Sequence, residues 1–158
     1  MKRPWNLVDC SVYSLSTSLE GNHNMNICTY VTPINMNPKI YAIAVYHNTQ
    51  TLQNIQSSEY CVLQILSDQQ YKLVNVLGKK SGFKYNKINY LVRRKMIHDW
   101  QHYTVLNQAV AYILLHKINC IPSIDHDLYL FKVIKYKVNN QDLPLTLNTL
   151  RLHKIISI

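Results

Sequence analysis

The sequence predicts a mainly β protein, a small antiparallel β-barrel with two or more short helices. Its 158 residues are 47% hydrophobic and only 16% charged, which is typical of a globular chain with a sizeable core. Short apolar or alternating runs recur with turn signals between them, and the 12 tyrosines suit half-buried sheet surfaces. Closure into a barrel removes the exposed edges of an open sheet, so we expect one closed domain over residues 1–158.

Six or seven strands are predicted from these runs. The run 40–46, IYAIAVY, is almost entirely apolar, as expected of a strand covered on both faces. The run 128–138 alternates, with Tyr129, Phe131 and Val133 on one side. The predicted strands lie at 6–13, 27–31, 40–46, 60–66, 102–106, 109–118 and 128–138.

Two short helices are predicted between the strands. The first covers 51–57 and places its apolar residues on one side. The second follows Ser67, whose hydroxyl can accept from a free N–H while Gln70 reaches back, the pattern of a capping box. Gly78 is expected to end this helix because glycine accepts the left-handed conformation.

The stretch 26–57 suits an anionic ligand. A polar loop rich in Asn and Thr leads into the apolar strand, which ends at His47-Asn48-Thr49 before a helix that opens at Thr51. Free backbone N–H groups and the positive end of the helix dipole attract an anion there. With the polar loop at the sheet edge, they suit a flat, polar-edged ligand with a phosphate tail. The alternative is an ordinary capped strand–turn–helix that binds nothing.

The chain carries a net charge of +9, which favours anionic partners. The positive charges are scattered, and the densest groups, Arg93-Arg94-Lys95 and Lys79-Lys80, are shorter than the basic block of a nucleic-acid-binding tail. A basic barrel could still bind single-stranded nucleic acid by stacking on tyrosines, which is a remote alternative. We therefore do not expect nucleic acid as a partner.

Cysteine spacing and hydropathy indicate the cellular location of the protein. The four cysteines, at 10, 28, 61 and 120, form no CxxC pair, which favours reduced, mostly buried thiols and a cytoplasmic location. The longest wholly apolar run, Ala109–Leu115, is too short to cross a bilayer, so we expect no membrane partner.

Motifs for familiar catalytic chemistry are missing from the sequence. There is no P-loop, GxGxxG, HExxH or GxSxG, and no carboxylate pair suggests hydrolysis. His98 and His102 have no third ligand nearby, so no metal site is expected. If the protein is an enzyme, the reactive atoms belong to a cofactor.

A succession of short segments resembles the flavin reductase-like, FMN-binding split-barrel family. The segments are WxLV at 5–8, NICTYVTP at 26–33, NP at 37–38, TxTLxNI at 49–55 with Ser58, YCVLQIL at 60–66, LGKKSG at 77–82 and DH at 125–126. They span nearly the whole chain. The resemblance implies a homodimeric split β-barrel that holds FMN at the subunit interface. Many members pass hydride from NADH or NADPH to flavin, and others resemble plain flavin-binding electron carriers.

The resemblance also implies cofactor-binding residues. One group matches the loop that lines the isoalloxazine edge, where ring carbonyls and an N–H need mixed polar partners. A second group matches the segment that holds the FMN phosphate, and a third matches a loop near the cofactor or the partner subunit. The groups are Asn26, Ile27, Cys28, Thr29 and Tyr30; then His47, Asn48, Thr49 and Thr51; then Lys79, Lys80 and Ser81. The alternatives are a polar β-turn, a simple N-cap at Thr51 and a solvated basic turn.

His126 is the catalytic candidate, because Asp125-His126 matches an Asp-His pair that the family places near the flavin face. Flanking carboxylates at Asp125 and Asp127 would favour a protonated imidazole, which could orient a nicotinamide or balance reduced flavin. The alternative is a histidine in a hairpin turn.

The function predicted is therefore an NAD(P)H-dependent flavin oxidoreductase. Its cofactor would be FMN, with FAD as the alternative, its reductant NADH or NADPH, and its partner a downstream electron acceptor. A non-catalytic flavin-binding or electron-carrier protein is the competing hypothesis.

Overall fold

A computed structural model describes residues 3–157 and contains a seven-stranded antiparallel sheet in the order β2-β1-β5-β8-β9-β4-β3. A separate two-stranded sheet pairs β6 with β7. The prediction of a mainly β, antiparallel protein is confirmed. The strands are β1 (Tyr13–Leu19), β2 (Asn22–Cys28), β3 (Val31–Asn35), β4 (Ile40–Tyr46), β5 (Tyr60–Ile65), β6 (Ile97–Trp100), β7 (Tyr103–Leu106), β8 (Ala111–Pro122) and β9 (His126–Val138).

In the described part of the chain, four short α-helices accompany the sheet. They are α1 (Gln50–Ser57), α2 (Val74–Leu77), α3 (Lys87–Arg93) and α4 (Leu147–Leu152), with 3-10 turns at Pro4–Asn6 and Asp68–Leu73. The capping box predicted at Ser67 and Gln70 is present. Within residues 3–157, no helix has the length and apolar character needed to span a membrane.

Gly78 follows α2, but not for the reason predicted. Its φ is −95°, so the residue is not left-handed. Instead, a Cβ at Gly78 would lie 3.3 Å from Ile27 Cγ1 and 3.0 Å from the Val74 carbonyl oxygen. The missing side chain therefore lets the end of α2 approach β2 closely.

The sheet is open, which corrects the expected closure of the barrel. β2 and β3 are its two edges, and no ladder joins them in the part of the chain that the structure describes. The helices α1, α2 and α3 all contact β2. Because helices cover the β2 edge, this edge is protected without pairing to another strand.

Two hydrophobic clusters pack on opposite faces of the sheet. Along β5, Val62 belongs to one cluster, while Cys61 and Leu63 belong to the other. Successive strand residues point to opposite faces, so residues 61–63 of β5 are all apolar because both faces of the sheet are buried there.

Candidate functional site

Two adjoining clefts form one groove beside the ends of β2 and β4 and the start of α1. The 26–30 cleft, about 220 Å³ in volume, is lined by all of residues 26–30 and by His126. The 78–82 cleft, about 360 Å³ in volume, is lined by residues 48–51 and 78–82. Asn26, Ile27, Tyr46 and Thr51 line both clefts.

The groove therefore brings together most of the residues predicted for the cofactor. The 26–30 cleft contains the first predicted group, and the 78–82 cleft contains Asn48, Thr49, Thr51, Lys79, Lys80 and Ser81. His47 is the exception, since neither cleft includes it. Segments that are far apart in sequence meet here because α1 and α2 both contact β2, which brings the β4–α1 turn and the segment after α2 beside that strand.

The loop between β2 and β3 is fixed against β4. The carbonyl oxygen of Tyr30 accepts a hydrogen bond of 3.0 Å from the backbone N–H of Ala44. Burial raises the pKa of the Cys28 thiol to about 12, so this thiol is protonated at neutral pH. Cys28 therefore contributes a neutral wall to the cleft and not a thiolate nucleophile.

The ring of His126 lines the 26–30 cleft and lies beside two tyrosines. Its centroid is 5.3 Å from that of Tyr30 and 5.1 Å from that of Tyr46, which is its partner across the β4–β9 ladder. Its Nδ1 lies 2.8 Å from Asp125 Oδ1, and this hydrogen bond is the largest cause of the lowered pKa of Asp125. Because Asp125 engages Nδ1, Nε2 is the ring nitrogen that remains for a ligand.

Only one of the two carboxylates beside His126 contacts its ring. Asp127 lies in β9, where alternate residues face opposite ways, and its Oδ1 is 2.8 Å from His47 Nε2 instead. The backbone N–H of His47 donates to the carbonyl oxygen of Asp125 at 2.9 Å. His47 thus connects β4 to β9 with its side chain turned away from the groove.

The turn between β4 and α1 presents the start of the helix to the 78–82 cleft. Thr49 is the N-cap: its Oγ1 accepts from the Leu52 N–H at 3.2 Å and donates to the Tyr46 carbonyl oxygen at 2.8 Å. The helix therefore begins at Gln50, one residue before the predicted start. Thr51 is not a cap, because it is buried and its Oγ1 accepts from Asn24 Nδ2 at 3.1 Å.

Side chains of the 78–82 segment are engaged within the protein. Lys79 Nζ donates to the Ile155 carbonyl oxygen at 2.7 Å, and Lys80 Nζ lies 3.9 Å from the centroid of the Tyr85 ring. Ser81 Oγ accepts from the backbone N–H of Phe83 at 3.3 Å. These contacts hold the segment in a fixed position along one side of the cleft.

Lys87, the first residue of α3, is a residue of the groove that the sequence analysis missed. The residue is 4% exposed, and Nζ donates to the Leu77 carbonyl oxygen at 2.7 Å. Burial lowers the pKa of Lys87 to about 8. No local pattern separates Lys87 from the other lysines of the chain, because its burial depends on the packing of α3 against β2.

The lining of the 78–82 cleft fits a phosphate group. It contains Lys79, Lys80 and Lys87, the hydroxyls of Thr49 and Ser81, and no Asp or Glu among the described residues. Such a set of cations and neutral donors stabilises an anion. A metal is a different case, since residues 3–157 contain no group of three His, Cys, Asp or Glu side chains that could hold one.

Solved structures with the same fold include three described as flavin proteins. An FMN-binding protein from Thermus thermophilus with bound 1-cyclohex-2-enone has a TM-score of 0.76 at 16% identity, covering 87% of this chain and 75% of its own. Flavoredoxin from Methanosarcina acetivorans has a TM-score of 0.76 at 14% identity, covering 89% and 76%. Flavin reductase PheA2 has a TM-score of 0.72 at 20% identity, covering 88% and 85%.

Comparison with known sequences identifies the family of this chain. No curated protein sequence matches this chain significantly. The family model described as the flavin reductase like domain matches residues 9–155, which is nearly the whole chain. The chain therefore belongs to the flavin reductase-like family.

Proposed function

We propose that this protein binds FMN in the groove and passes hydride from NADH or NADPH to the flavin. The observation that carries the proposal is the change in lining along the groove. Among the described residues, no Lys, Arg, Asp or Glu lines the 26–30 cleft, whereas three lysines line the 78–82 cleft. A flavin mononucleotide has the same order, a neutral ring with a polar edge at one end and a phosphate at the other.

The proposed orientation follows from this order. Residues 26–30 would meet the pyrimidine edge of the ring, where backbone groups can pair with its carbonyls and N–H. The first N–H groups of α1 and the lysines of the 78–82 cleft would bind the phosphate. When bound, FMN supplies the acceptor for the hydride. FAD remains the alternative cofactor within the same proposal.

His126 is proposed to position the nicotinamide. The Asp125 carboxylate accepts a hydrogen bond from Nδ1–H and so orients the ring, and Tyr30 and Tyr46 lie beside it. A histidine oriented in this way can place a hydrogen bond on the carboxamide of the reductant through Nε2.

A homodimer in the cytoplasm is part of the same proposal. Several large apolar side chains are exposed: Tyr30 in the 26–30 cleft, Ile34 and Met36 in the β3–β4 hairpin, and Ile124 in the β8–β9 turn beside Asp125. A second copy that covers this surface would remove these side chains from water. The reduced flavin would then serve a downstream electron acceptor.

A visible-absorbance spectrum tests flavin binding directly. Purified protein is expected to be yellow, or to become yellow after incubation with FMN and desalting. Protein that stays colourless after incubation with excess FMN would contradict the proposal.

Stopped-flow mixing with NADH and with NADPH then tests the reaction. Rapid bleaching of the flavin band, faster than that of free FMN, is expected with one of the two nucleotides. Bound FMN without bleaching would favour the non-catalytic electron carrier.

A further inference from the structure

Lys87 lies where the 78–82 cleft meets a second cavity. This second cavity, here the 82–89 cavity, has a volume of about 450 Å³ and includes residues 82–89. It shares Asn24, Gln50, Gly82 and Lys87 with the 78–82 cleft. Lys87 therefore lines both spaces and does not belong to a closed core.

The side chains that line these two spaces together with Lys87 are cationic or neutral. Lys79 and Lys80 line the cleft, and His23, Lys84 and Tyr85 line the cavity. Asn24 and Gln50, shared by both, are neutral amides. No Asp or Glu lines either space, and between residues 3 and 157 no carboxylate forms a salt bridge with Lys87.

The ammonium group is incompletely satisfied. It has three protons to donate, and in the structure it donates to the Leu77 carbonyl oxygen. A charge that is buried without an opposite charge costs free energy, and this cost is why the pKa of Lys87 is lowered to about 8. An anion in the adjoining cleft would provide both the missing hydrogen-bond acceptors and the missing opposite charge.

We propose that Lys87 binds the phosphate group of the ligand in the 78–82 cleft and is the buried cation of this site. The inference rests on the proposed function, which places a flavin phosphate in that cleft. The competing role is structural: Lys87 would only cap the last carbonyl groups of α2. The two roles differ because a cap acts equally on every ligand, whereas a phosphate-binding residue discriminates between ligands with and without the phosphate.

Titration with FMN and with riboflavin tests the proposal, because the two ligands differ only by the phosphate. Flavin fluorescence is followed for the wild type, Lys87→Met, Lys87→Arg and Lys135→Met. The last removes one charge from the exposed part of β9, outside the groove, and is the matched control for net charge.

Lys87→Met is expected to weaken FMN binding roughly tenfold to a hundredfold, the effect of losing one hydrogen bond to a charged group. Riboflavin affinity should stay unchanged in that variant. Lys87→Arg should keep most of the preference for FMN, and Lys135→Met all of it. An unchanged ratio of FMN to riboflavin affinity in Lys87→Met would overturn the proposal.

Proton uptake gives a second measurement that does not depend on the stability of Lys87→Met. Calorimetry at pH 8 in buffers of different ionisation enthalpy should show more proton uptake with FMN than with riboflavin. Lys87→Arg should abolish the difference, because arginine is always protonated. Equal uptake with both ligands in the wild type would overturn the proposal.

The same titrations distinguish the inference from the proposed function. Wild-type protein that binds neither flavin contradicts both. Wild-type protein that binds both flavins with an unaffected ratio in Lys87→Met contradicts only the role of Lys87.

Discussion

His47 and Asp127 form a pair at 2.8 Å across β4 and β9, although Asp127 is the sequence neighbour of His126. The exposed fractions of the two side chains are 32% and 14%, so the pair is partly screened from water. It lies on the opposite side of β9 from the His126–Asp125 pair, whose carboxylate is 71% exposed. Two similar His–Asp pairs thus sit next to each other with different surroundings, and we expect them to have different roles.

Asp127→Asn is expected to reduce stability while leaving flavin binding intact. The substitution removes the charge that holds His47 against β9, and a partly buried pair contributes about 0.5–1 kcal/mol. Urea denaturation, with FMN affinity measured in parallel, checks this expectation. A loss of FMN affinity without loss of stability would show that the pair serves the groove.

His126→Asn is expected to slow flavin reduction roughly tenfold at saturating NADH or NADPH, while FMN affinity stays constant. Asparagine can still donate to Asp125 but has no atom at the position of Nε2, so one ligand hydrogen bond is lost. Stopped-flow absorbance measures the rate. Asp127→Asn is the matched control, and an equal slowing in that variant would argue against a specific role for His126.

Local sequence patterns predicted the strand and the helix in which buried residues recur at a regular spacing. The apolar run 40–46 coincides with β4, and the predicted helix after it begins within one residue of α1. These two elements are predictable because a strand–turn–helix has a strong local signature. The family resemblance placed residues 26–30, Asn48, Thr49, Thr51 and 79–81 in one site together with His47. All of them except His47 line one groove, and their role in cofactor binding stays a prediction.

The first hairpin was missed because its buried side chains are polar. The prediction placed a strand at 6–13 and a polar turn region after residue 16, whereas β1 and β2 occupy that region. Ser16 is fully buried and donates to the Thr104 carbonyl oxygen at 2.7 Å. Thr17 is buried as well and accepts from Asn54 Nδ2 at 3.0 Å. Hydrogen-bond partners so distant in sequence leave no local pattern. The burial of Lys87 likewise depends on a strand far away in sequence.

The thiols and the barrel closure were also predicted incompletely. Cys10 and Cys120 are exposed, so only part of the cysteine set is buried. Closure was inferred from the need to protect strand edges, and the structure protects β2 with helices. Both expectations followed general tendencies of proteins. The packing of this chain leaves two cysteines exposed and the sheet open.

Gly82→Ala is expected to weaken flavin binding. A Cβ at this position would lie 2.6 Å from Gln50 Oε1 and 2.7 Å from Asn24 Oδ1. Asn24 cannot rotate away without losing its hydrogen bond to Thr51, so the 78–82 segment must move and change the cleft. The strain should also cost about 1–3 kcal/mol of stability. Fluorescence titration with FMN and urea denaturation measure the two effects.

Gly21→Ala is the matched control for that substitution. Gly21 has a φ of +80°, and a Cβ added there would have no neighbour within 4 Å, so alanine is strained at this position without touching the groove. It should cost roughly 1 kcal/mol of stability and leave FMN affinity unchanged. Equal losses of FMN affinity in both variants would mean that general destabilisation, and not the shape of the cleft, weakens binding.

The buried charge of Lys87 predicts how stability depends on pH. The pKa is about 8 in the folded protein, below the ordinary value of 10.5, so between these pH values the unfolded chain holds a proton that the folded chain has lost. The free energy of unfolding of the wild type, relative to Lys87→Met, should therefore rise from pH 8 to pH 10.5. It should be flat below pH 8, where the charged form bears the full cost of burial. Urea denaturation of both proteins across pH 7–11 measures the difference, and the tyrosines and cysteines cancel because both proteins share them. A difference that stays constant over this range would mean that Lys87 keeps its ordinary pKa, and that the groove does not hold a destabilised cation.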